Sequence, residues 1–140
     1  MMLPVSPDGR CLLLRTDFSD DAGWVALCAL LREPVDGFEA EFSPVSDRVF
    51  GGLAEGDIAR LTAEEGEAYY ALVADAEAIF GSEHSVLAVD MSEDSRRVFR
   101  VIPSEVYDFL ANLEIGNLDF HDFADAADED GVFRGFREDV

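Results

Sequence analysis

The sequence predicts a single compact α/β or α+β domain, with a mixed sheet of about five strands and three to four helices, two of them C-terminal. Three observations support this class. The chain has 140 residues, a length that suits one domain with a substantial core. Hydrophobic residues make up 49% of it, enough to build that core despite many charges. Strand-like and helix-like patterns are interspersed along residues 1–140 without repeats or linkers.

The first strand and helix follow a proline-containing loop. The continuous apolar run Cys11–Leu14 is typical of a strand that is buried on both faces. Ser19 is placed to cap a helix that carries Asp20 and Asp21 in its first turn. Pro34 ends this helix. Its apolar residues recur at i, i+3, i+4 and i+7, and they are Trp24, Leu27, Cys28 and Leu31.

The middle of the chain holds a second strand and one ambiguous stretch. Residues 38–45 begin with alternating apolar and acidic side chains, which predicts a half-exposed strand. Residues 46–57 contain three glycines and are interpreted as a loop. Residues 62–75 fit either a helix that begins with a capping box or a buried strand. A short helix followed by a strand over 69–74 is the favoured interpretation.

The C-terminal half adds two strands and two helices. The strands are predicted over 85–89 and 98–102, joined by a polar turn. Residues 103–116 form a helix with proline at its start and glycine at its end. Residues 117–131 form a last helix, which an asparagine caps and a glycine stops. The apolar face of that last helix comprises Phe120, Phe123, Ala124 and Ala127.

The charge of the chain restricts its partners. The formal net charge is −21, because 31 carboxylates face only ten positive residues, all arginine. Direct binding to nucleic acid or to anionic lipid is disfavoured, since both depend on lysine and arginine contacts. A basic protein partner is favoured, because complementary charge speeds encounter. The alternative is that the charge serves only solubility. The oligomeric state is left open.

The acids are densest from Glu114 to Asp130, where seven carboxylates occur without an arginine. On a helical wheel they spread over the surface that the apolar residues of the last helix leave free. We therefore predict a broad partner-binding face here, and the leading hypothesis is a non-enzymatic interaction protein of immunity, antitoxin or inhibitor type. The predicted face comprises Asp119, Asp122, Asp125, Asp128 and Glu129.

The rival hypothesis is a small metal-dependent or ligand-binding enzyme. Asp17, Asp75 and Asp90 each follow an apolar run, and open α/β sheets bind ligands at the carboxyl ends of strands. Together these carboxylates could hold Mg²⁺, and His121 with Asp125 one helical turn away could form an acid/base pair. Strand-end aspartates also commonly cap the next turn or helix, and His121 falls on the wet side of its helix.

Other motifs give no catalytic or cofactor assignment. Nucleophile elbows, phosphate-binding loops and dinucleotide-binding glycine motifs are absent from the sequence, so no cofactor is predicted. The acidic segment 125–131 superficially resembles a calcium loop but lacks two principal ligands, and a helix end is preferred. Arg97 and Arg100, with the neighbouring arginine, either bind an anion or offset nearby acids along one hairpin.

The location of the protein is also predicted from the sequence. Cys11 and Cys28 form no CxxC pair and lie in apolar contexts, which indicates buried free thiols. The first residues lack the pattern of a secretory signal, and no segment approaches the length of a membrane span. We therefore expect a cytoplasmic protein.

Three stretches resemble a known family. They are the run from Leu14 to Asp21, the run from Asn117 to Ala124, and the end of the chain from Asp130 to Phe136. In these stretches the chain is similar to a family of short acidic actinobacterial proteins that is a domain of unknown function. The resemblance covers most of the chain and implies a single intracellular domain. It implies no catalytic residues.

Overall fold

The computed structural model describes residues 3–4, 6, 9–61, 70–91 and 97–136. Within these residues the chain forms one mixed six-stranded sheet. Its strands are β1 (Cys11–Arg15), β2 (Phe42–Val45), β3 (Tyr70–Ala74), β4 (Val86–Asp90), β5 (Val98–Val101) and β6 (Val132–Phe133). They lie in the order β2-β1-β3-β4-β5-β6 across the sheet.

Five α-helices and two short 3₁₀ helices of the described chain surround this sheet, so the predicted α+β class is confirmed. None of the described helices is both long enough and apolar enough to cross a bilayer. The α-helices are α1 (Asp21–Leu31), α2 (Glu55–Ala59), α3 (Ala76–Phe80), α4 (Val106–Glu114) and α5 (Phe120–Asp125), and the 3₁₀ helices are Arg48–Phe50 and Pro103–Glu105.

The strand directions divide the sheet into two parts. β1 is parallel to both of its neighbours, β2 and β3. β4 is antiparallel to β3 and to β5, and β5 is parallel to β6. The first three strands therefore end at one edge of the sheet, whereas β4 ends at the opposite edge.

The central strands β1, β3 and β4 are buried on both faces, as their continuous apolar runs predict. On one face, alternate side chains of these strands pack against α1, α3, α4 and α5. Phe109 and Phe123 lie at the centre of this layer, fully buried, with their ring centroids 5.0 Å apart in an edge-to-face arrangement. Each such side chain stabilises the fold by about 2–3 kcal/mol through burial.

The other face of the sheet is covered by residues 50–61, which follow β2. Phe50 of the first 3₁₀ helix and Ile58 of α2 are both fully buried there, against Leu14, Val73 and the other outward side chains of the central strands. This cover explains why β1 and β3 have no polar face. The sequence interpretation of 46–57 as a loop was wrong on this point. One carboxylate stabilises the start of each of these short helices. Asp47 accepts a hydrogen bond from the Val49 N–H, and Asp57 accepts one from the Ala54 N–H.

The start of α1 differs by one residue from the prediction. Asp20, not Ser19, caps the helix, because its carboxylate accepts a hydrogen bond of 3.1 Å from the N–H of Gly23. Gly23 is also needed for packing, since a Cβ atom there would lie 2.7 Å from the Cγ2 atom of Ile79 on α3. The helix thus approaches α3 more closely than any larger residue permits.

Strand β2 is shorter than the predicted strand over 38–45. Val35 and Phe38 exchange two backbone hydrogen bonds of 2.9 and 3.0 Å across a two-residue turn. The turn residues Asp36 and Gly37 both have positive φ, which defines a type I′ turn. Phe38 therefore pairs locally, and the ladder with β1 begins only at Phe42.

The last helix, α5, is also shorter than predicted. It is capped by Asp119, not by an asparagine at 117, and it ends at Asp125. Gly131 does not stop it: its N–H donates to the Asp128 carbonyl in a turn that leads into β6. The short helix α3 was not predicted at all. The predicted helix at 62–69 and the polar turn at 92–95 lie outside the described residues.

Candidate functional site

The carboxyl edge of the parallel strands is the place where this topology offers a ligand crevice. The chain leaves the end of β1 towards β2 and the end of β3 towards β4, so the connections that follow these two adjacent strands run to opposite sides. In open sheets such a switch point is a common ligand site. Asp17 follows β1 and Asp75 follows β3, so both of these predicted residues lie at this edge.

Asp75 is held by two elements of the fold. One carboxylate oxygen accepts a hydrogen bond of 3.1 Å from the Ala78 N–H and thereby caps α3. Both oxygens also accept from the guanidinium of Arg100 on β5, which donates in addition to the Ser85 carbonyl at 2.9 Å. Asp75 therefore caps the helix that follows its strand, which is the role anticipated for strand-end aspartates. No oxygen of this carboxylate is left without a protein donor.

Asp17 forms a local turn with Ser19. Its Oδ1 atom accepts from the Ser19 hydroxyl at 2.6 Å and from the Ser19 N–H at 2.9 Å. These hydrogen bonds stabilise the charged form and hold the pKa of Asp17 below its usual range. The carboxylate is therefore anionic near neutral pH, which suits a structural acceptor and not a general acid.

Asp90 does not join the other two aspartates. It is buried at the end of β4, opposite Tyr70 at the start of β3. Because these strands are antiparallel, the end of β4 lies at the edge where β3 begins, a full strand length from Asp75. The structure brings Asp17 and Asp75 to one edge but does not bring the three carboxylates together.

Arg15 is a buried charge at the same edge that the sequence analysis did not single out. It is 3% exposed, and its guanidinium lies 4.4 Å from the centroid of the Phe18 ring. It donates to the Asp17 carbonyl, to the Asp21 carboxylate and to the Ser46 hydroxyl at 2.9, 2.8 and 3.3 Å. Arg15 thus ties the ends of β1 and β2 to α1. The signal in the sequence was an arginine directly after the apolar run Cys11–Leu14, at the end of β1.

The acidic region from Glu114 to Asp130 lies elsewhere, in the layer that carries α5. Asp119 and Asp122 form the helix start, because the Asp119 N–H donates to Asp122 at 2.8 Å. His121 lies 3.5 Å from Asp122 and is exposed. The predicted pair of His121 with Asp125 is not formed. One ligand atom from each of Asp119, His121 and Asp122 lies within 4.8 Å of the other two, on an exposed helix end.

Arginines from neighbouring strands bind part of this acidic region. Arg97 donates to Asp125 at 2.6 Å, which supports the interpretation that the arginines of this hairpin offset nearby acids. Arg134, just after β6, donates to Asp128 at 2.8 Å, to Asp130 at 2.7 and 3.0 Å, and to Glu83 at 2.6 and 2.9 Å.

Three carboxylates thus converge on one guanidinium, and two of them, Asp128 and Asp130, belong to the segment that resembles a calcium loop. They raise the pKa of Arg134, and the hydrogen bonds that Arg134 donates to Glu83 are the largest cause. In return, the hydrogen bonds from Arg134 lower the pKa of Glu83 and that of Asp130. Glu129 is exposed and forms no ion pair with a described residue.

A third surface, not singled out from the sequence, lies between the Asp36–Gly37 turn and α4. Phe38 stacks on Tyr107 with ring centroids 5.3 Å apart and an interplanar angle of 14°. Ile115, just after α4, is 75% exposed. The Asp-Gly pair before Phe38 was the available signal, because it is a strong indicator of a tight turn. Nothing in the sequence near Phe38 or Tyr107 indicates that these two rings are in contact.

These features define a mixed α+β domain with an acidic surface and with strand-end carboxylates engaged in its own hydrogen bonds. The chain belongs to the DUF6924 family, a domain of unknown function, whose family model matches residues 10–136. The resemblance to a domain of unknown function is thereby confirmed. A comparison with curated proteins gives no match.

Proposed function

We propose that this chain is a non-enzymatic interaction protein, of immunity, antitoxin or inhibitor type, that binds a basic protein surface through its acidic face. The acidic face is the set of seven carboxylates Glu114, Asp119, Asp122, Asp125, Asp128, Glu129 and Asp130. We place the protein in the cytoplasm, where free thiols such as those of Cys11 and Cys28 stay reduced.

One observation carries the proposal: the acidic face is only partly neutralised. Among the described residues, two arginines contact its seven carboxylates, namely Arg97 and Arg134. Arg134 also binds Glu83, which lies outside the face, so its single charge is shared among three acids. A strong negative potential therefore remains at this surface, and such a potential attracts a basic partner and repels nucleic acid and anionic lipid.

The hydrogen bonds of the strand-end carboxylates within the fold also support a role in partner binding over one in catalysis. Asp75 is bound by Arg100 and by the start of α3, and Asp17 is bound by Ser19. Asp90 lies at the other edge of the sheet. An enzyme that uses Asp75 on a metal, as in the alternative hypothesis, would have to displace the Arg100 guanidinium from this carboxylate first. A thermal-shift titration with Mg²⁺, Mn²⁺ and Ca²⁺ tests it, because a bound metal stabilises the folded state.

The proposal is tested by capture of partners from native lysate at low and at high salt, followed by kinetics with the partner identified by mass. The double variant Glu114→Arg with Glu129→Arg reverses two exposed carboxylates that form no ion pair within the described chain. We expect at least about a ten-fold slower association at low salt, since electrostatic steering commonly contributes ten-fold or more. Neither substitution removes a helix cap, so the fold is left intact.

The matched control is Glu33→Arg with Glu77→Arg, which changes the net charge by the same amount at exposed positions outside the acidic face. We expect this control to retain most of the wild-type association rate. Two results would contradict the proposal: equal loss in both double variants, or a captured partner whose association rate depends neither on salt nor on Glu114 and Glu129.

A further inference from the structure

A groove of about 410 Å³ lies beside the acidic face, between the Asp36–Gly37 turn and α4. Glu114, at the end of α4, belongs both to the acidic face and to the rim of this groove. Its apolar floor and walls are formed by Phe38, Tyr107, Leu110, Ala111 and Ile115.

The groove is built from rigid parts. The type I′ turn fixes Phe38, which stacks on Tyr107 of α4. On the same helix Leu110 is buried in the main core, so α4 is anchored to the sheet beneath the groove. A surface that is ordered before binding loses less conformational entropy when a partner docks.

Apolar side chains in the groove remain exposed to water. Phe38 is 57% exposed and Ile115 is 75% exposed, and both line the groove together with Tyr107. Single exposed apolar residues are common and need no explanation. Here, however, an aromatic pair and an isoleucine line one concave surface, which is typical of a pocket that receives an anchoring side chain.

The rim of the groove is acidic. It carries Glu39, Glu41 and Glu114, and no arginine is among its lining residues. Arg10 lies 3.7 Å from Glu41, whereas Glu39 and Glu114 form no ion pair with any residue that the structure describes. An occupant must therefore combine an apolar group with positive charge.

We propose that this groove binds a short basic segment of the partner, with one aromatic or long aliphatic side chain on the Phe38–Tyr107 stack and flanking arginines or lysines against Glu39 and Glu114. The inference rests on the proposed function, because it takes the partner to be basic. A second copy of this chain fits poorly, since two molecules of net charge −21 repel each other.

The test uses two short fluorescein-labelled synthetic peptides and fluorescence anisotropy with the full chain. One peptide carries arginines around a central tryptophan, and the other replaces that tryptophan with serine. We expect the wild type to bind the tryptophan peptide at least about ten-fold more tightly, as anchors in well-packed pockets commonly contribute this much. The difference should shrink several-fold in Phe38→Ser and in Ile115→Ser.

The matched control is Phe80→Ser on α3, because Phe80 is also 57% exposed but lies outside the groove. We expect Phe80→Ser to preserve the preference for tryptophan, and circular dichroism checks that each variant is folded. Equal binding of both peptides by the wild type would overturn the groove proposal, and the acidic face would then account for the binding. Binding of neither peptide would overturn both proposals.

Two further outcomes would also overturn the groove proposal. One is loss of the preference in Phe80→Ser to the same extent as in Phe38→Ser. The other is a dimer in sedimentation experiments that Phe38→Ser dissociates, since the groove would then serve self-association.

Discussion

Replacement of Asp75 by alanine should destabilise the protein strongly, because this carboxylate joins three elements of the fold. It caps α3 through the Ala78 N–H and binds Arg100 of β5 with both oxygens. Arg100 also holds the Ser85 carbonyl ahead of β4. The side chains of the pair are only 26% and 22% exposed, so this is not a solvent-screened surface pair.

The magnitude follows from the interactions that are lost. A side-chain helix cap contributes about 1 kcal/mol. Loss of hydrogen bonds to a charged partner, with the Arg100 guanidinium left partly buried, costs about 1.5–3 kcal/mol more. We therefore expect Asp75→Ala to lower the free energy of unfolding by about 2–4 kcal/mol. Asp75→Asn keeps an acceptor for the cap and should lose about half as much.

Urea unfolding followed by the fluorescence of Trp24 measures this change. Trp24 is the only tryptophan of the chain, and it is buried in α1, next to the Gly23 contact with α3. The matched control is Asp57→Ala, because Asp57 has the same two kinds of contact in an exposed setting, a hydrogen bond from the Ala54 N–H and an ion pair with Arg60.

This control should cost at most about 1 kcal/mol. The structural interpretation of Asp75 is refuted if Asp75→Ala changes the unfolding free energy by less than about 0.5 kcal/mol, or no more than the control does.

Two further predictions concern pH and the thiols. Arg134 lowers the pKa of Glu83 and of Asp130, so its stabilising effect is complete above their usual pKa values of about 4 and is lost as the pH falls below those values, through the lowered ones. The stability gap between wild type and Arg134→Gln, measured by urea unfolding, should therefore close in acid, and a constant gap would contradict this. Cys28 is buried and Cys11 is half-buried. Desolvation raises the pKa of Cys11 to about 12 and raises that of Cys28, so both thiols should react slowly with Ellman's reagent at pH ~8 until urea is added. Rapid labelling of the folded protein would show that the thiols are accessible.

The strands of the centre could be predicted because their sequences carry a strong signal. The strands β1, β3 and β4 are apolar apart from Arg15 and Asp90 at the ends of β1 and β4, and only a strand covered on both faces needs such a continuous apolar run. The helices α1 and α4 were predicted for a similar reason, since each is long enough to repeat its apolar stripe.

The short elements could not be predicted from periodicity. α2 and α3 have five residues each, little more than one helical turn, so no apolar stripe can repeat within them. Their starts are instead determined by single side chains, Asp57 and Asp75, which accept backbone N–H groups. β6 has only two residues and exists because the turn at Gly131 returns the chain to β5.

Which aspartates meet at one edge of the sheet depends on the directions of the strands, and the sequence alone does not give these directions. Asp17, Asp75 and Asp90 all follow apolar runs, and the sequence alone gives no reason to separate them. The antiparallel pairing of β3 with β4 moves Asp90 to the opposite edge. Likewise, Phe38 and Tyr107 are far apart in sequence, and only the packing of α4 beside the turn brings their rings together.

The few arginines of this protein are engaged within the fold. Of the eight that the structure describes, six form ion pairs with acids, and the other two lie on phenylalanine rings. The ion pairs are Arg10–Glu41, Arg15–Asp21, Arg60–Asp57, Arg97–Asp125, Arg100–Asp75 and those of Arg134, and the ring contacts are Arg32–Phe42 and Arg48–Phe18.

A chain that needed its charge only for solubility could distribute these few cations anywhere. Here Arg15, Arg100 and Arg134 instead join strands to loops, and no described arginine contacts Glu39, Glu114 or Glu129. These three carboxylates therefore keep their full negative charge. They lie on the acidic face and on the rim of the groove, which is where the proposed basic partner would dock.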